Sequence, residues 1–202
     1  MLSVENKIKK QISSKKRGTI VFPDDFSELG SNDSIRKALQ NLESSNFIKR
    51  IAQGIYVRPV ISDLIGEISP SAEDVIKAIA KRDKIKVIPT GVYALNALGL
   101  STQVPMKIVL LTDGSPREIK IGKRTIKLKK TTPKALSVKG DISGLVIQAL
   151  REIGNGNITT EEENKIINLL KREDQNKLKH DISLAPAWIR KIMQKALINE
   201  YN

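Results

Sequence analysis

The stretch from Asn32 to Arg58 joins a helical pattern directly to a hairpin pattern, and this constrains the fold more than any other part of the chain. Its first part has apolar residues every three or four positions, which predicts a helix with one buried side. These residues are Ile35, Ala38, Leu39 and Leu42. Asp33 stands where an N-cap would be expected. Two short alternating runs between Phe47 and Arg58 flank a glycine-containing turn, which predicts a β-hairpin.

The residues before this stretch complete a recognisable order of elements. A helix is predicted over 3–14, capped by Ser3. A short strand over 19–22 and about two helical turns over 24–30 follow. Helix, strand, short helix, turn, helix and hairpin is the order of a winged helix-turn-helix. We therefore predict such a domain over residues 1–60.

The rest of the chain predicts a mixed α/β domain over residues 70–202, and an α+β fold class overall. Residues 59–70 have the composition of a linker, and Ser71 begins a helix with a capping-box pattern that ends near Arg82. The continuous apolar run of 106–112 is typical of a central strand in a small sheet. The later predicted elements are a strand over 86–89, a helix over 91–98, a hairpin over 117–130 that turns at Gly122-Lys123, and a helical tail from about 145 with helices over 145–153, 159–170, 174–180 and 185–198.

The charge of the chain is positive and unevenly distributed. Of the net +13, residues 1–60 contribute +5, residues 61–140 contribute +8, and residues 141–202 contribute zero. Such a field favours a polyanionic partner. The basic residues do not lie on one helix with an apolar aromatic face, so a membrane surface fits less well than nucleic acid.

The outer face of the predicted 32–43 helix has the side-chain types that contact bases and phosphates in a major groove. The predicted contacts on this helix are Ser34, Arg36, Lys37, Gln40 and Asn41. The hairpin adds Lys49, Arg50 and Gln53, and the preceding basic turn adds Lys16 and Arg17. Arg36 is the strongest base-contact candidate, because a guanidinium reads guanine bidentately. The alternative for any single one of these residues is a surface position that only solvates the helix. The alternative for the whole domain is a winged helix that contacts protein instead of DNA.

A second basic face is predicted on the 117–130 hairpin. Its apolar isoleucines and leucine would share one side, which leaves Lys120, Lys127 and Lys129 on the other. These lysines could contact phosphates. They could equally be solvated residues that block edge-to-edge strand pairing.

Enzymatic activity has little support in the sequence. Asp113, Glu118 and Lys120 have the residue types of a metal-dependent nuclease, but Asp113 lies directly before an ordinary turn, Gly114-Ser-Pro116. His180 is the single histidine, which leaves no histidine-based metal cluster, and no phosphate-cradling glycine loop is present. We predict no catalytic residue, no metal and no cofactor.

The sequence predicts a cytoplasmic protein. The N-terminal residues are charged and lack the apolar core of a signal peptide. No apolar run reaches the ~20 residues of a membrane helix. The absence of cysteine fits a reducing compartment.

Two segments resemble the AbiEi-like antitoxins of type IV toxin–antitoxin (abortive infection) systems. The first is the helix and wing, from Ser34 through Phe47-Ile-Lys-Arg-Ile-Ala-Gln-Gly-Ile-Tyr-Val57. The second is Val87-Ile-Pro-Thr-Gly-Val-Tyr-Ala-Leu-Asn-Ala-Leu-Gly-Leu100, which is similar to the start of the antitoxin C-terminal domain. The resemblance covers about residues 3–135.

The resemblance implies a repressor that binds inverted repeats in double-stranded DNA of its own promoter. It also implies that the second domain neutralises a nucleotidyltransferase-like toxin. The alternatives are a stand-alone winged-helix regulator whose second domain senses a ligand or a protein, and the nuclease described above.

Overall fold

The computed structural model describes residues 2–197, which form an α+β fold of short helices and small β-sheets. The chain divides into two compact units. The first contains residues up to 82 together with 119–123, and the second contains 83–118 and the residues from 124 onward. None of the helices in the described part of the chain is both long and apolar enough to cross a membrane.

The first unit packs helices against a three-stranded antiparallel sheet. Its helices are α1 (Val4–Ser13), a 3₁₀ helix (Pro23–Leu29) and α2 (Asn32–Ser44). Its strands are β1 (Ile20–Val21), β2 (Lys49–Ala52) and β3 (Ile55–Val57), in the order β1-β3-β2. The predicted apolar side of α2 is confirmed as buried, in one core with Ile8, Ile12 and Phe26.

The start of α2 differs from the prediction by two residues. Ser31, rather than Asp33, is the N-cap, and its hydroxyl oxygen accepts a hydrogen bond from the Ser34 N–H at 3.3 Å. Ser31 has the extended backbone that a cap requires, which allows the helix to begin at Asn32. Asp33 instead lies in the first turn, where its negative charge faces the positive end of the helix dipole.

The predicted linker over 59–70 is not a linker. It forms an antiparallel pair of strands, β4 (Val60–Ser62) and β5 (Gly66–Ile68). Gly66 has φ 74°, a conformation that lets the chain turn back there. The apolar residues at its tip face solvent, since Leu64 is 94% and Ile65 is 76% exposed.

Helix α3 (Ala72–Asp83) begins with the capping box that the sequence predicts. The Ser71 hydroxyl donates to Asp74 at 2.7 Å and accepts from the Asp74 N–H. The Ser71 hydroxyl, and after it the Ser71 N–H at 3.1 Å, donate to the Asp74 carboxylate and lower the pKa of Asp74 below its ordinary value. The first compact unit includes this helix up to residue 82. The Arg82 guanidinium stacks on the Phe22 ring, 4.3 Å from its centroid, which links the helix to this unit.

The residues from 83 onward contain a four-stranded sheet in the order β6-β7-β9-β8. The strands are β6 (Val87–Pro89), β7 (Lys107–Thr112), β8 (Arg117–Ile121) and β9 (Arg124–Lys130), and α4 (Gly91–Ala97) lies between β6 and β7 in the chain. The central position of β7 is confirmed: it pairs antiparallel with β6 and parallel with β9. The predicted turn at Gly122-Lys123 is also confirmed, with Gly122 at φ 55°.

Helices make up the rest of the second unit. They are α5 (Pro133–Leu136), α6 (Asp141–Ile153), α7 (Thr160–Leu170), α8 (Gln175–Leu184) and α9 (Ala187–Gln194). Helix α5 is absent from the sequence-based prediction. The prediction also starts α6 four residues too late, at Leu145, and ends the third tail helix at His180 rather than Leu184. The extra turn of α6 forms because the Glu173 carboxylate accepts hydrogen bonds from the N–H groups of Ile142 and Ser143. The last helix, predicted over 185–198, is shorter: it begins at Ala187 and ends at Gln194, and Ile198 itself lies outside the described residues.

Candidate nucleic-acid interface

The solvent side of α2 is a continuous polar stripe. Its exposed residues recur every three or four positions, which places them on one face of the helix. They are Asp33, Arg36, Lys37, Gln40, Asn41 and Ser44. The opposite side is buried in the core, so a partner would meet α2 on the side that carries this stripe.

Two predicted contact residues of α2 already have partners within the chain. The Ser34 hydroxyl donates to the Ser31 carbonyl at 2.8 Å, so it takes part in the cap. The Asn41 amide donates to Glu5 Oε2 at 2.8 Å, which joins α2 to α1. Both side chains therefore stabilise the helix, and neither can bind a base without giving up its bond.

Arg36, Lys37 and Gln40 form the accessible centre of the stripe. The Arg36 side chain is 75% exposed, and its guanidinium lies 3.9 Å from Asp33, which is itself 96% exposed. An ion pair this open contributes little free energy. The guanidinium can therefore leave Asp33 for a stronger partner at small cost.

The hairpin of β2 and β3 presents one engaged and two accessible polar residues. Lys49 pairs with Glu67 of β5 at 2.7 Å. Arg50 is exposed and makes a long bond of 3.4 Å from Nε to the Ala52 carbonyl. Gln53 is exposed in the turn before Gly54, whose φ is 67°.

The basic turn after α1 contributes one exposed cation and one structural arginine. Lys16 is exposed, whereas Arg17 donates to the Pro59 carbonyl at 3.2 Å. Arg58 at the end of the hairpin is also structural: it donates to the Ser13 carbonyl at 3.2 Å and stacks 5.3 Å from the Phe47 ring centroid. Both arginines thus connect α1 to the chain after β3.

The lysines predicted as a second basic face differ in environment. Lys120 and Lys129 are exposed. Lys127 is half-buried and pairs with Glu118 at 3.0 Å, and Lys107 lies 3.8 Å from the same carboxylate. Glu118 thus offsets part of the positive charge on this side of the sheet.

The three residues of the nuclease hypothesis do not share one set of contacts. Asp113 accepts from the Lys86 N–H at 2.8 Å, while Glu118 pairs with lysines. Among residues 2–197 there is no group of three or more His, Cys, Asp or Glu side chains that could hold a metal ion.

Sequence reasoning missed a buried carboxylate in the second unit. Asp181 is fully buried and accepts from the N–H groups of Lys139 and Gly140 at 2.9 and 2.8 Å, and from the Ser143 hydroxyl. His180, the single histidine, is half-buried, with Nδ1 2.8 Å from the same carboxylate. The partners are 38 to 42 residues away in the chain, apart from His180, so no local pattern could identify this cluster.

Comparison with known proteins identifies a family without an assigned activity. No curated protein matches the chain. Among solved structures, the crystal structure of the RV2827C protein from Mycobacterium tuberculosis is similar, with 11% identity and a TM-score of 0.42 over 97% of this chain and 82% of that one. Residues 7–178 match DUF6088, a family of unknown function, and the chain therefore belongs to that family.

Proposed function

We propose that the first unit is a winged helix-turn-helix that binds double-stranded DNA sequence-specifically, and that the protein is a non-enzymatic autorepressor and antitoxin. The polar stripe of α2 is the observation that carries this proposal. A helix that is anchored on one side by a core and exposes an arginine, a lysine and a glutamine on the other fits a major groove.

The hydrogen bonds divide the ten predicted DNA contacts into two groups. The first group is exposed and can reach DNA: Arg36, Lys37, Gln40, Arg50, Gln53 and Lys16. The second group has partners within the chain and positions the helix, the hairpin and the basic turn: Ser34, Asn41, Lys49 and Arg17. In this proposal Arg36 and Gln40 read base edges, while Lys16 and Arg50 contact phosphates.

The test measures fluorescence anisotropy of labelled duplexes from the region upstream of the protein's own gene, with a scrambled duplex as reference. Arg36→Ala is expected to weaken binding to the specific duplex about 5- to 100-fold, the equivalent of one bidentate base contact. Its affinity for the scrambled duplex is expected to fall much less. Arg172→Ala, an exposed arginine after α7 with the same change in charge, serves as the matched control.

Salt dependence separates the two kinds of contact. Lys16→Ala is expected to reduce the slope of log K against log salt by about one. It is also expected to lower the affinity for the upstream and the scrambled duplex by similar factors. Equal affinity of the wild-type protein for the upstream and scrambled duplexes would overturn sequence-specific repression.

The antitoxin part of the proposal depends on the residue patterns that resemble AbiEi-like antitoxins. It is tested by co-expression with a nucleotidyltransferase-like gene next to its own. Growth rescue by the wild-type protein and by the Arg36→Ala variant would support neutralisation through the second unit. A neighbourhood without such a gene would favour a stand-alone regulator instead.

A further inference from the structure

A cavity of about 380 Å³ lies in the second unit, where the chain passes from β9 to α5. Its size is in the range of small-molecule sites. Three segments form its walls: the residues after β9, the C-terminal half of α6, and the corner between α8 and α9. The first two segments supply its polar groups, from Thr131, Thr132, Lys134, Gln148 and Arg151.

The cavity begins at the carboxyl ends of two parallel strands. β7 and β9 run parallel and end together, with Thr112 opposite Lys130. The Thr131 N–H donates to the Thr112 carbonyl at 2.9 Å, and the cavity opens directly after this bond. Crevices beyond the carboxyl ends of parallel strands are where α/β proteins commonly bind ligands.

Gln148 is the residue in this cavity that most clearly points to a ligand. It is only 6% exposed, yet no hydrogen bond joins its side-chain amide to any residue in the described range 2–197. The other buried polar residues, Thr112, Ser143 and Asp181, all have such bonds. The polar atoms of Gln148 are not sealed from solvent without a partner, so the amide opens onto the cavity, where its donor and acceptor can bind a polar group supplied by a ligand.

The charges around the cavity are all of one sign. Lys134 and Arg151 line it, and no carboxylate of the described residues does. A lysine and an arginine together are typical of phosphate recognition. The hydroxyl of Thr132 is also available, since it makes no capping bond to α5.

The remaining wall is apolar. Val138, Ile147 and Leu184 contribute to it, and Ala185 and Pro186 close the corner between the last helices. Such a wall suits the flat face of an aromatic ring. Two cations, a free amide and an apolar wall in one cavity match a ligand with a phosphate and a heteroaromatic ring.

We propose that this cavity binds a mononucleotide, with Lys134 and Arg151 on its phosphate and the Gln148 amide on a polar edge of its base. This site is separate from the polar stripe of α2 and does not depend on the proposed DNA binding.

The test is isothermal titration of the full chain with AMP, GMP, CMP and UMP, each compared with its nucleoside and with inorganic phosphate. At least one nucleotide is expected to bind with saturation at one site. Its nucleoside, which lacks the phosphate, is expected to bind at least about 10-fold more weakly, because it loses a charge-assisted contact. Binding of inorganic phosphate alone with the full affinity would instead mean that the base is not recognised and would overturn the proposal.

Two variants locate the binding. Arg151→Gln is expected to weaken nucleotide binding about 10-fold or more, whereas Arg172→Gln, an exposed arginine of the same unit, leaves it unchanged. Gln148→Leu is expected to lower the affinity for the nucleotide about 5- to 10-fold, without changing the weak binding of inorganic phosphate. Because Gln148 is buried, the exposed Arg151 decides the test if Gln148→Leu does not fold.

Three further results would overturn the proposal: no saturable binding of any of the four nucleotides up to about 5 mM, unchanged affinity in Arg151→Gln, or equal losses in Arg151→Gln and Arg172→Gln. The last result would indicate general attraction to a basic protein. DNA binding is measured on the same variants. This shows whether the proposed DNA binding fails independently of the proposed nucleotide binding.

Discussion

The buried Asp181 carboxylate gives the sharpest prediction about stability. Oδ1 accepts from the Lys139 N–H and lies 2.8 Å from His180 Nδ1, while Oδ2 accepts from the Gly140 N–H and the Ser143 hydroxyl. In Asp181→Asn an amide NH₂ replaces one of these oxygens. The Ser143 hydroxyl can rotate and the His180 ring can change tautomer, but a backbone N–H cannot become an acceptor. Either orientation of the new amide therefore sets a donor against a donor.

The expected cost follows from these bonds. A hydrogen bond to a charged group contributes about 1.5–3 kcal/mol, and one backbone bond is lost outright while the others lose their charge. We expect Asp181→Asn to lower the free energy of unfolding of the second unit by about 3 kcal/mol. Both backbone donors, Lys139 and Gly140, belong to the segment that leads into α6, so this helix is expected to be the first element to loosen whichever bond is lost.

Urea unfolding followed by fluorescence of Trp188, the only tryptophan, reports on this unit. Asp141→Asn is the matched control, because Asp141 is an exposed carboxylate in the first turn of α6. We expect it to cost less than about 1 kcal/mol, the usual size of an exposed charge–dipole effect. A loss below about 1 kcal/mol for Asp181→Asn, or equal losses for both variants, would refute the reasoning.

Other predictions concern the first unit. Ser31→Ala is expected to destabilise it by about 0.5–2 kcal/mol, because α2 loses its N-cap, and Asp33→Ala is expected to destabilise it less. Thermal unfolding of both variants measures this, and the opposite order would show that Asp33 is the cap. Leu64→Ser is expected to leave the free energy of unfolding within about 0.5 kcal/mol of wild type, since a side chain that is 94% exposed contributes little burial; a larger loss would mean that the β4–β5 hairpin is covered. The lowered pKa of Asp74 means that its ionised form stabilises the folded state above the ordinary value of 3.8, and that this stabilisation is lost as pH falls through the lower folded pKa. Unfolding of wild type and Asp74→Asn from pH 7 to pH 2 checks this, and a difference that grows toward low pH would contradict it.

Features of the fold with a local cause were predictable from the sequence. The Ser3 cap, the Ser71–Asp74 box and the buried side of α2 each depend on residues within a few positions of one another. The central position of β7 followed from its continuous apolar run, because a strand covered on both faces has no polar alternation.

Features that depend on distant partners were not predictable. The early start of α6 requires the Glu173 carboxylate, about 30 residues away. In the candidate interface, periodicity correctly placed Arg36, Lys37 and Gln40 on the solvent side. It could not show that Asn41 bonds to Glu5, 36 residues away, or that Lys49 pairs with Glu67, 18 residues away.

Asn41 and Arg36 differ in a way that tests the division of the stripe. Asn41→Ala breaks the bond to Glu5 and is expected to reduce stability by about 0.5–1.5 kcal/mol while leaving sequence preference intact. Arg36→Ala is expected to reduce the sequence preference and leave the stability unchanged, because the ion pair of Arg36 with Asp33 is open to solvent.

The most direct test of the account is therefore the anisotropy of wild type, Arg36→Ala and Arg172→Ala on the upstream duplex and on its scrambled version. We expect wild type and Arg172→Ala to prefer the upstream duplex, and Arg36→Ala to lose most of that preference while it keeps the wild-type melting temperature. An Arg36→Ala protein with the full wild-type preference would show that the stripe of α2 does not read DNA.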